Sequence, residues 1–385
     1  MSPSTVDCYL ATVDTNPASA IVRWHEWIAA GDLTAGLFQT PRWLTAWYAT
    51  LGAQPGRQPL FASIVRRDDG RPLMALPLLL HRRGGLRRIE FADLGVTDYV
   101  APLLAVDCPD DPEHVRAMFA ALRRALPSAD VFCAHKMPAL VGGRPNPLQR
   151  LRGTRPSSLF GNLVTVDGDF DAWRFSREKT HRKELERSWR VFTRHPDAEF
   201  RLITDIADAT RIMDALETYQ RSAIANKGWA YILDEPGYRD FYRRLIVDGL
   251  ASGDTVLSAL IAGDEVVGAL LGVRRDHHYA MIRIGNAGGE WRNCSPGRLV
   301  IERTMAALHA QGVRDFDFTI GDYPYKKGFR PEELPLYELT TALSWKGMPY
   351  AAFLRLKHEL KIRLKSRPPI QAGESPALPV KQTGN

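Results

Sequence analysis

The chain has 385 residues, 45% of them hydrophobic and 25% charged, and a formal net charge of +7. It is longer than one hydrophobic core usually fills, so two domains are expected. The composition is that of a soluble globular protein, and no apolar run reaches the roughly 18 residues that a membrane span requires. The excess of Lys and Arg favours anionic partners such as a phosphate-bearing cofactor, nucleic acid or an acidic polymer.

In chain order, the N-terminus MSPSTVDCYLATVDTN has no basic region followed by an apolar one. No secretory signal is therefore expected, and the cytoplasm is the default location. Helix-like stretches at 18–32 and 41–52 precede a hairpin over 59–80, whose Asp69-Gly70 pair is a tight-turn signal. A strand near 87–94, a helix over 112–126 and a strand over 130–135 follow. The segment 139–158 is rich in Gly, Pro and Arg and reads as a linker. The same order then runs again: helices over 207–228 and 235–253, a hairpin over 255–275 turning at Gly263-Asp264, a strand over 277–285, a helix over 297–312 and a strand over 314–319. A repeat offset of roughly 190 residues fits two copies of one fold. Antiparallel hairpins combined with a β-α-β crossover predict an α/β (α+β) protein with mixed sheets flanked by helices, not a doubly wound parallel sheet. The tail 367–385 has the composition of disorder.

Cys8, Cys108, Cys133 and Cys294 form no C-x-x-C pair, and the histidines form no H-E-x-x-H, so neither a metal site nor a disulfide framework is expected. The stretch CSPGRLVIERTMAALHAQG is more informative. Ser295-Pro296-Gly297 stands where a strand gives way to an apolar helix, whose first-turn amides lack intrahelical partners and suit a phosphate. Gly297 permits close approach and Arg298 adds a cation. Taken alone, the same letters also describe an ordinary turn with a serine cap and a proline at the helix start. Past the next strand, TIGDYPYKKGF brings Asp322, Tyr325 and Lys326 to a strand end, where ligands often meet α/β sheets. Asp322 could act as a base or orient an acceptor, and Lys326 could stabilise negative charge. A structural aspartate beside surface lysines is the plainer alternative.

This succession of hairpin, strand, open turn, helix and strand resembles the acyl-CoA-binding core of the GNAT acyltransferase superfamily. More narrowly, SPGRLVIERTMAALHAQGVRDFDFTIGD, YPYKKGF and the basic segment 170–192 resemble the double-GNAT group described as CelD/BcsL-like or BioF2-like, related to Fem peptidyltransferases. The resemblance runs from Leu37 to Trp345. It implies tandem GNAT-like domains: a degenerate one at 1–155 and an acyl-CoA-binding one at 156–348, followed by a basic amphipathic helix at 349–366. It further implies that Ser295, Gly297 and Arg298 hold the CoA pyrophosphate, and that the strand at Arg283, Ile284 and Gly285 offers backbone amides to the acyl group. By resemblance to Fem proteins, Lys326 is the favoured catalytic residue. The first half has four acids in DCPDDPE where the phosphate turn would be, which would repel a pyrophosphate. That half is expected to cover the acceptor, with Asp98 and Tyr99 as wall residues; Tyr99 reads equally as a packed aromatic.

Two basic stretches remain. Arg177 to Arg194 carries Leu185, Trp189 and Phe192 at helical spacing, so it is either a solvated face on a packed helix or a contact for an anionic acceptor. The segment 351–367 aligns Phe353, Leu356, Leu360 and Leu364 and could dock on its own domain or touch an anionic membrane. The resulting expectation is an enzyme moving an acyl group, most simply acetyl from acetyl-CoA, to an amine or hydroxyl. The resembled group points to a sugar or a cellulose or exopolysaccharide precursor as acceptor. Fem-like aminoacyl transfer, the one reading with a nucleic-acid partner (tRNA), and a catalytically degenerate scaffold are the alternatives.

Overall fold

The computed structural model describes residues 8–226 and 228–365; the tail expected at 367–385 lies outside them. The first half comprises β1 (Tyr9–Asp14), α1 (Pro17–Ala29), α2 (Pro41–Thr50), β2 (Arg57–Arg66), β3 (Pro72–Arg83), β4 (Leu86–Phe91), the short β5 (Leu103–Leu104), α3 (Pro112–Ala125) and β6 (Val131–Pro138). A small ladder of β7 (Leu140–Val141) and β8 (Arg144–Pro145) leads to β9 (Arg155–Thr165). The second half follows with α4 (Phe170–Ser176), α5 (Lys179–Phe192), β10 (Ala198–Ile203), α6 (Ile206–Ala225), α7 (Tyr238–Gly249), β11 (Thr255–Ala262), β12 (Glu265–Arg275) and β13 (His278–Asn286). It ends with α8 (Pro296–Ala310), β14 (Asp315–Asp317), α9 (Pro324–Lys327), β15 (Glu332–Ala342) and α10 (Met348–Lys365).

Local chemistry accounts for the main elements. In α3, Asp111 accepts from the amides of Glu113 and His114, Pro112 opens the first turn, and Arg123 and Arg124 meet the negative end. Val115, Met118 and Leu122 then form its buried stripe. Both expected hairpins are present, with Gly70 and Gly263 at positive φ in their turns. The sequence reading missed β1 and β10, the opening strand of each half. Neither is fully buried, and each lies at an end of the sheet, so an apolar pattern is weak there.

All strands but β7 and β8 join one mixed sheet of thirteen, ordered β1-β2-β3-β4-β6-β15-β9-β14-β13-β12-β11-β10 with β5 on β3. The two halves run outward from its centre, and their last strands are exchanged. β9, which follows β6 in the chain, pairs with β14, while β15, which follows β14, pairs with β6. β9 and β15 also pair with each other. The Gly/Pro/Arg-rich stretch 139–158 is therefore no free tether: Asn146, Leu148 and Leu151 are buried, and its last residues enter β9. Its prolines and glycines punctuate tight turns instead.

Helices α2 and α7 pack across the halves, with Trp43 edge-on to Phe241 at 4.9 Å between ring centroids. Burying a side chain such as Phe241 is worth about 2–3 kcal/mol. Arg42 and Asp254 add an ion pair at 2.8 Å. Against β15 lies α10, where the Tyr350 hydroxyl accepts from Arg88 at 3.0 Å. The side expected to dock is not the one that does: Ala351 is buried, whereas Phe353 and Leu356 are exposed. The side chains of Leu360 and Leu364 lie outside those described. Among the described residues, no helix is long and apolar enough to cross a membrane.

Candidate active site

Strands β13 and β14 run parallel for three residue pairs, His278–Asp315, Tyr279–Phe316 and Ala280–Asp317, and then part. β14 stops at Asp317, but β13 continues to Asn286 on β12, leaving its other edge without a strand partner among the described residues. A bulge where Leu271 and Gly272 face Arg283 and Met281 leaves Ile282 unpaired at the start of this opening. The extra residue puts Ile282 and Arg283 on one side, since Ile282 packs with the core that holds Trp43 and Phe241, and Arg283 meets Gln220 on α6 and Tyr242 on α7.

At the far end of β13, a turn over 289–294 brings Ser295 into a left-handed conformation, φ 46°, before α8. For a serine this costs roughly 1–2 kcal/mol, so tertiary packing holds the turn open. Ser295 makes no side-chain cap; its Oγ accepts from Arg298 at 3.1 Å. A Cβ on Gly297 would stand 3.0 Å from Asn286 Oδ1, so the glycine allows strand end and helix start to meet. Beside the turn lies α5, where Glu184 pairs with Arg298 at 2.7 Å and Arg187 donates to the Asn293 carbonyl at 3.1 Å. His181, Leu185, Ser188 and Phe192 are its buried side, while Lys179, Lys183 and Arg187 remain exposed near the turn. The basic stretch is thus a packed helix with a charged outer face, and that face adjoins the turn.

On the strand itself, Arg283, Ile284 and Gly285 are braced from the side of α6 and α7. The Arg283 side chain is buried, donating through Nε to Gln220 at 3.0 Å and through Nη2 to Tyr231 at 2.8 Å, over the Tyr242 ring. Gln220 in turn donates to the Ile284 carbonyl at 2.9 Å. At Gly285 a Cβ would come 3.1 Å from the Leu216 carbonyl, so α6 lies directly on the strand.

Where β14 ends, the two halves meet. Asp317, 1% exposed, accepts from the Tyr99 hydroxyl at 2.8 Å and from the Thr319 amide at 2.6 Å through Oδ1. Its Oδ2 has no hydrogen-bond partner among the described residues and lies 3.8 Å from His278 Nε2. Burial pushes the Asp98 carboxyl up to about 6, against the opposing pull of Lys136 and the Thr319 hydroxyl. Lys326, 3% exposed, donates to the carbonyls of Ile320 at 2.9 Å, Gly321 at 3.0 Å and Thr319 at 3.3 Å. Its burial lowers the ammonium to about 8, with Asp98, Asp317 and Asp322 holding it up. Asn162, reaching in from β9, donates to the Thr319 carbonyl at 2.7 Å.

That grip on the loop has a consequence for its amides. In a trans peptide the N–H points opposite the preceding C=O, so the amides of Ile320, Gly321 and Asp322 turn away from Lys326. None of them donates to another described group. With Thr319 and Gly321 both at positive φ, such a loop offers its amides to an anion.

Asp98, Tyr99 and Lys326 are therefore brought together, as Ser295, Gly297 and Arg298 are at the turn. Asp322 and Tyr325 stand apart from that arrangement. The Asp322 carboxylate is exposed, 3.5 Å from Lys327. Tyr325 stacks on Tyr323 at 5.7 Å, and its burial raises its hydroxyl pKa. Sequence reasoning missed Asp317, Thr319, Asn162 and His278. Only Asp317 gave a signal, as a charge inside the apolar alternation of RDFDFT. Among the described residues no His, Cys, Asp or Glu cluster could hold a metal ion.

Residues 179–327, from α5 through α9, match the family model of the acetyltransferase (GNAT) domain. Solved structures share the fold over nearly the whole chain. FemX matches with a TM-score of 0.57 at 12% identity, over 86% of this chain and 97% of its own. A DUF2156 domain from Agrobacterium fabrum matches at 0.52 and 12% over 90% and 97%. The L-PGS of Bacillus licheniformis matches at 0.50 and 10% over 88% and 96%. No curated protein matches the chain.

Proposed function

We propose that the protein is an acyl-CoA-dependent N- or O-acyltransferase, most simply an acetyltransferase, working in the cytoplasm on an amine or hydroxyl of a saccharide or exopolysaccharide precursor. The observation that carries this reading is the three-pair parallel ladder of β13 and β14, opening toward the turn at Ser295–Gly297. The matching acetyltransferase (GNAT) domain over 179–327 spans both features and supports an acyl donor.

In this reading the donor lies along the open edge of β13 at Arg283, Ile284 and Gly285. Its pyrophosphate meets the start of α8, where Arg298 and the exposed cations of α5 add positive charge. The acyl carbonyl then reaches the end of the opening. The acceptor's N or O attacks that carbonyl, the new C–N or C–O bond forms, and the C–S bond breaks with CoA departing as the thiolate, which then takes a proton back from Asp98. Asp98 takes the acceptor's proton, its raised pKa suiting a base that works near neutrality. The amides on the β13 edge and over 320–322 are the available donors to the tetrahedral oxyanion. Lys326 sets the 319–321 loop through its carbonyls, and Tyr99 holds Asp317. Asp322 and Tyr325 flank this arrangement instead of acting in it.

Thermal denaturation with acetyl-CoA, free CoA and aminoacyl-tRNA tests the donor, because a ligand of the native state alone raises the midpoint. Stabilisation by both CoA compounds is the expected result. A shift with aminoacyl-tRNA only would replace this reading with aminoacyl transfer, and no shift with any donor would leave a scaffold.

A further inference from the structure

The opening between β13 and β14 has a counterpart in the first half. β4 and β6 also run parallel for three residue pairs, Arg88–Val131, Ile89–Phe132 and Glu90–Cys133, before parting. A cavity of about 500 Å³ runs over this part of the sheet, from Arg57 and His81 on β2 and β3 to Asp93 and His135 past the gap, and is closed on one side by Ile232 and Tyr238 of the second half. A second hollow of about 350 Å³ adjoins it, sharing Arg57, His81 and Arg82.

The helix that would complete a phosphate turn here is unsuitable for an anion. Asp111 already occupies the first amides of α3, and Asp107 and Asp110 lie just before it. Cations stand instead along the cavity, at Arg57, Arg82 and Arg83. Arg57 donates to the Leu51 carbonyl at 2.7 Å, while Arg82 and Arg83 are exposed and their guanidinium groups have no ion-pair or hydrogen-bond partner among the described residues. The acids in the cavity are engaged internally: Glu90 bonds His81 Nε2 at 2.6 Å and Asp93 pairs with Lys136 at 2.7 Å. Those pairings leave the arginine charges uncompensated. Deeper in, His135 bonds the Thr340 hydroxyl at 3.0 Å, and Phe91, Leu94 and Val100 give apolar wall. Guanidinium groups beside hydrogen-bonding side chains and an apolar wall suit a small organic phosphate.

We infer that the β4–β6 opening is a second ligand site, for a phosphate ester of a polyhydroxyl compound. Arg83, on the same face of β3 as His81, takes the phosphate with Arg57 beside it, and the His81–Glu90 pair and His135 face the hydroxyls. The assignment does not depend on acyl transfer at the other opening.

Calorimetric titration of the full chain with glucose 1-phosphate, in saturating CoA to occupy any site at the α8 turn, tests it. Arg83→Gln removes the exposed guanidinium that receives the phosphate, so it should bind at least about tenfold more weakly with an unchanged melting midpoint. Gly297→Val should bind as the wild type does. Equal affinity in Arg83→Gln, no heat from the wild type at millimolar ligand, or equally tight binding of glucose itself would each overturn the assignment.

Discussion

The Tyr99 hydroxyl donates to Asp317 Oδ1 at 2.8 Å, joining residues 218 positions apart in the chain. This bond ties the loop after β4 to the end of β14, the place where the two halves contribute to one cleft. Tyr99→Phe should cost about 1–3 kcal/mol, the range for a buried acceptor deprived of a donor. Gly161→Ala should act on the same bond, because a Cβ at Gly161 would collide with the Tyr99 ring and hydroxyl. Urea denaturation of both single variants and the double should give non-additive losses. Strict additivity would show that Gly161 does not act through Tyr99.

Asp98 should carry opposite consequences for stability and for rate. Its folded pKa, raised from 3.8 to about 6, means that the native state binds more protons than the unfolded chain between those values. Stability contributed by the protonated group is therefore present below that window and is lost as pH rises through it, at a cost of up to about 3 kcal/mol above pH 6. Asp98→Asn should raise the melting midpoint at pH 8 with little gain at pH 4, and should abolish turnover at both. In the wild type, kcat/KM should rise with pH through an apparent pKa near 6.

Lys326→Met removes the donor shared by three loop carbonyls, and turnover should fall by roughly 10² to 10³. The affinity for CoA should be nearly unchanged, because the turn at Ser295 is untouched. Wild-type activity should also decline above pH 8, where the ammonium loses its proton; the residual activity of the variant should lack that limb. An alkaline limb that persists in the variant would assign it to another group.

Gly297→Val places a branched side chain against Asn286 at the mouth of the turn. CoA affinity should drop at least about tenfold, about 1.4 kcal/mol, while circular dichroism and the melting midpoint of the free protein stay close to wild type. Retained affinity would place the pyrophosphate elsewhere.

The repeat of elements and the open turn were legible in the sequence because their signals are local: apolar periodicity, a tight Asp-Gly pair, a Pro-Gly step before an apolar helix. Asn162 had no such signal. It reaches Thr319 from 157 residues away, and nothing in GNLVT marks an amide that serves another loop. The strand exchange was hidden for a similar reason, since β9 and β15 look like ordinary strands until their partners are known. Asp322 and Lys326 illustrate a different limit. Both are charged residues just after a strand, and only packing decides that Lys326 is enclosed while Asp322 faces solvent with Lys327.

The exchanged strands also determine what the cleft between the halves can do. A cleft between separately folded lobes opens by bending a tether; here the same region is spanned by β6, β15, β9 and β14, hydrogen-bonded in sequence. Any rocking of one half against the other would have to break ladder bonds, so the width between Asp98 and Lys326 is set by the sheet. Admission and release of reactants must then fall to exposed segments such as 322–324 and 288–290, moving over a frame that does not hinge.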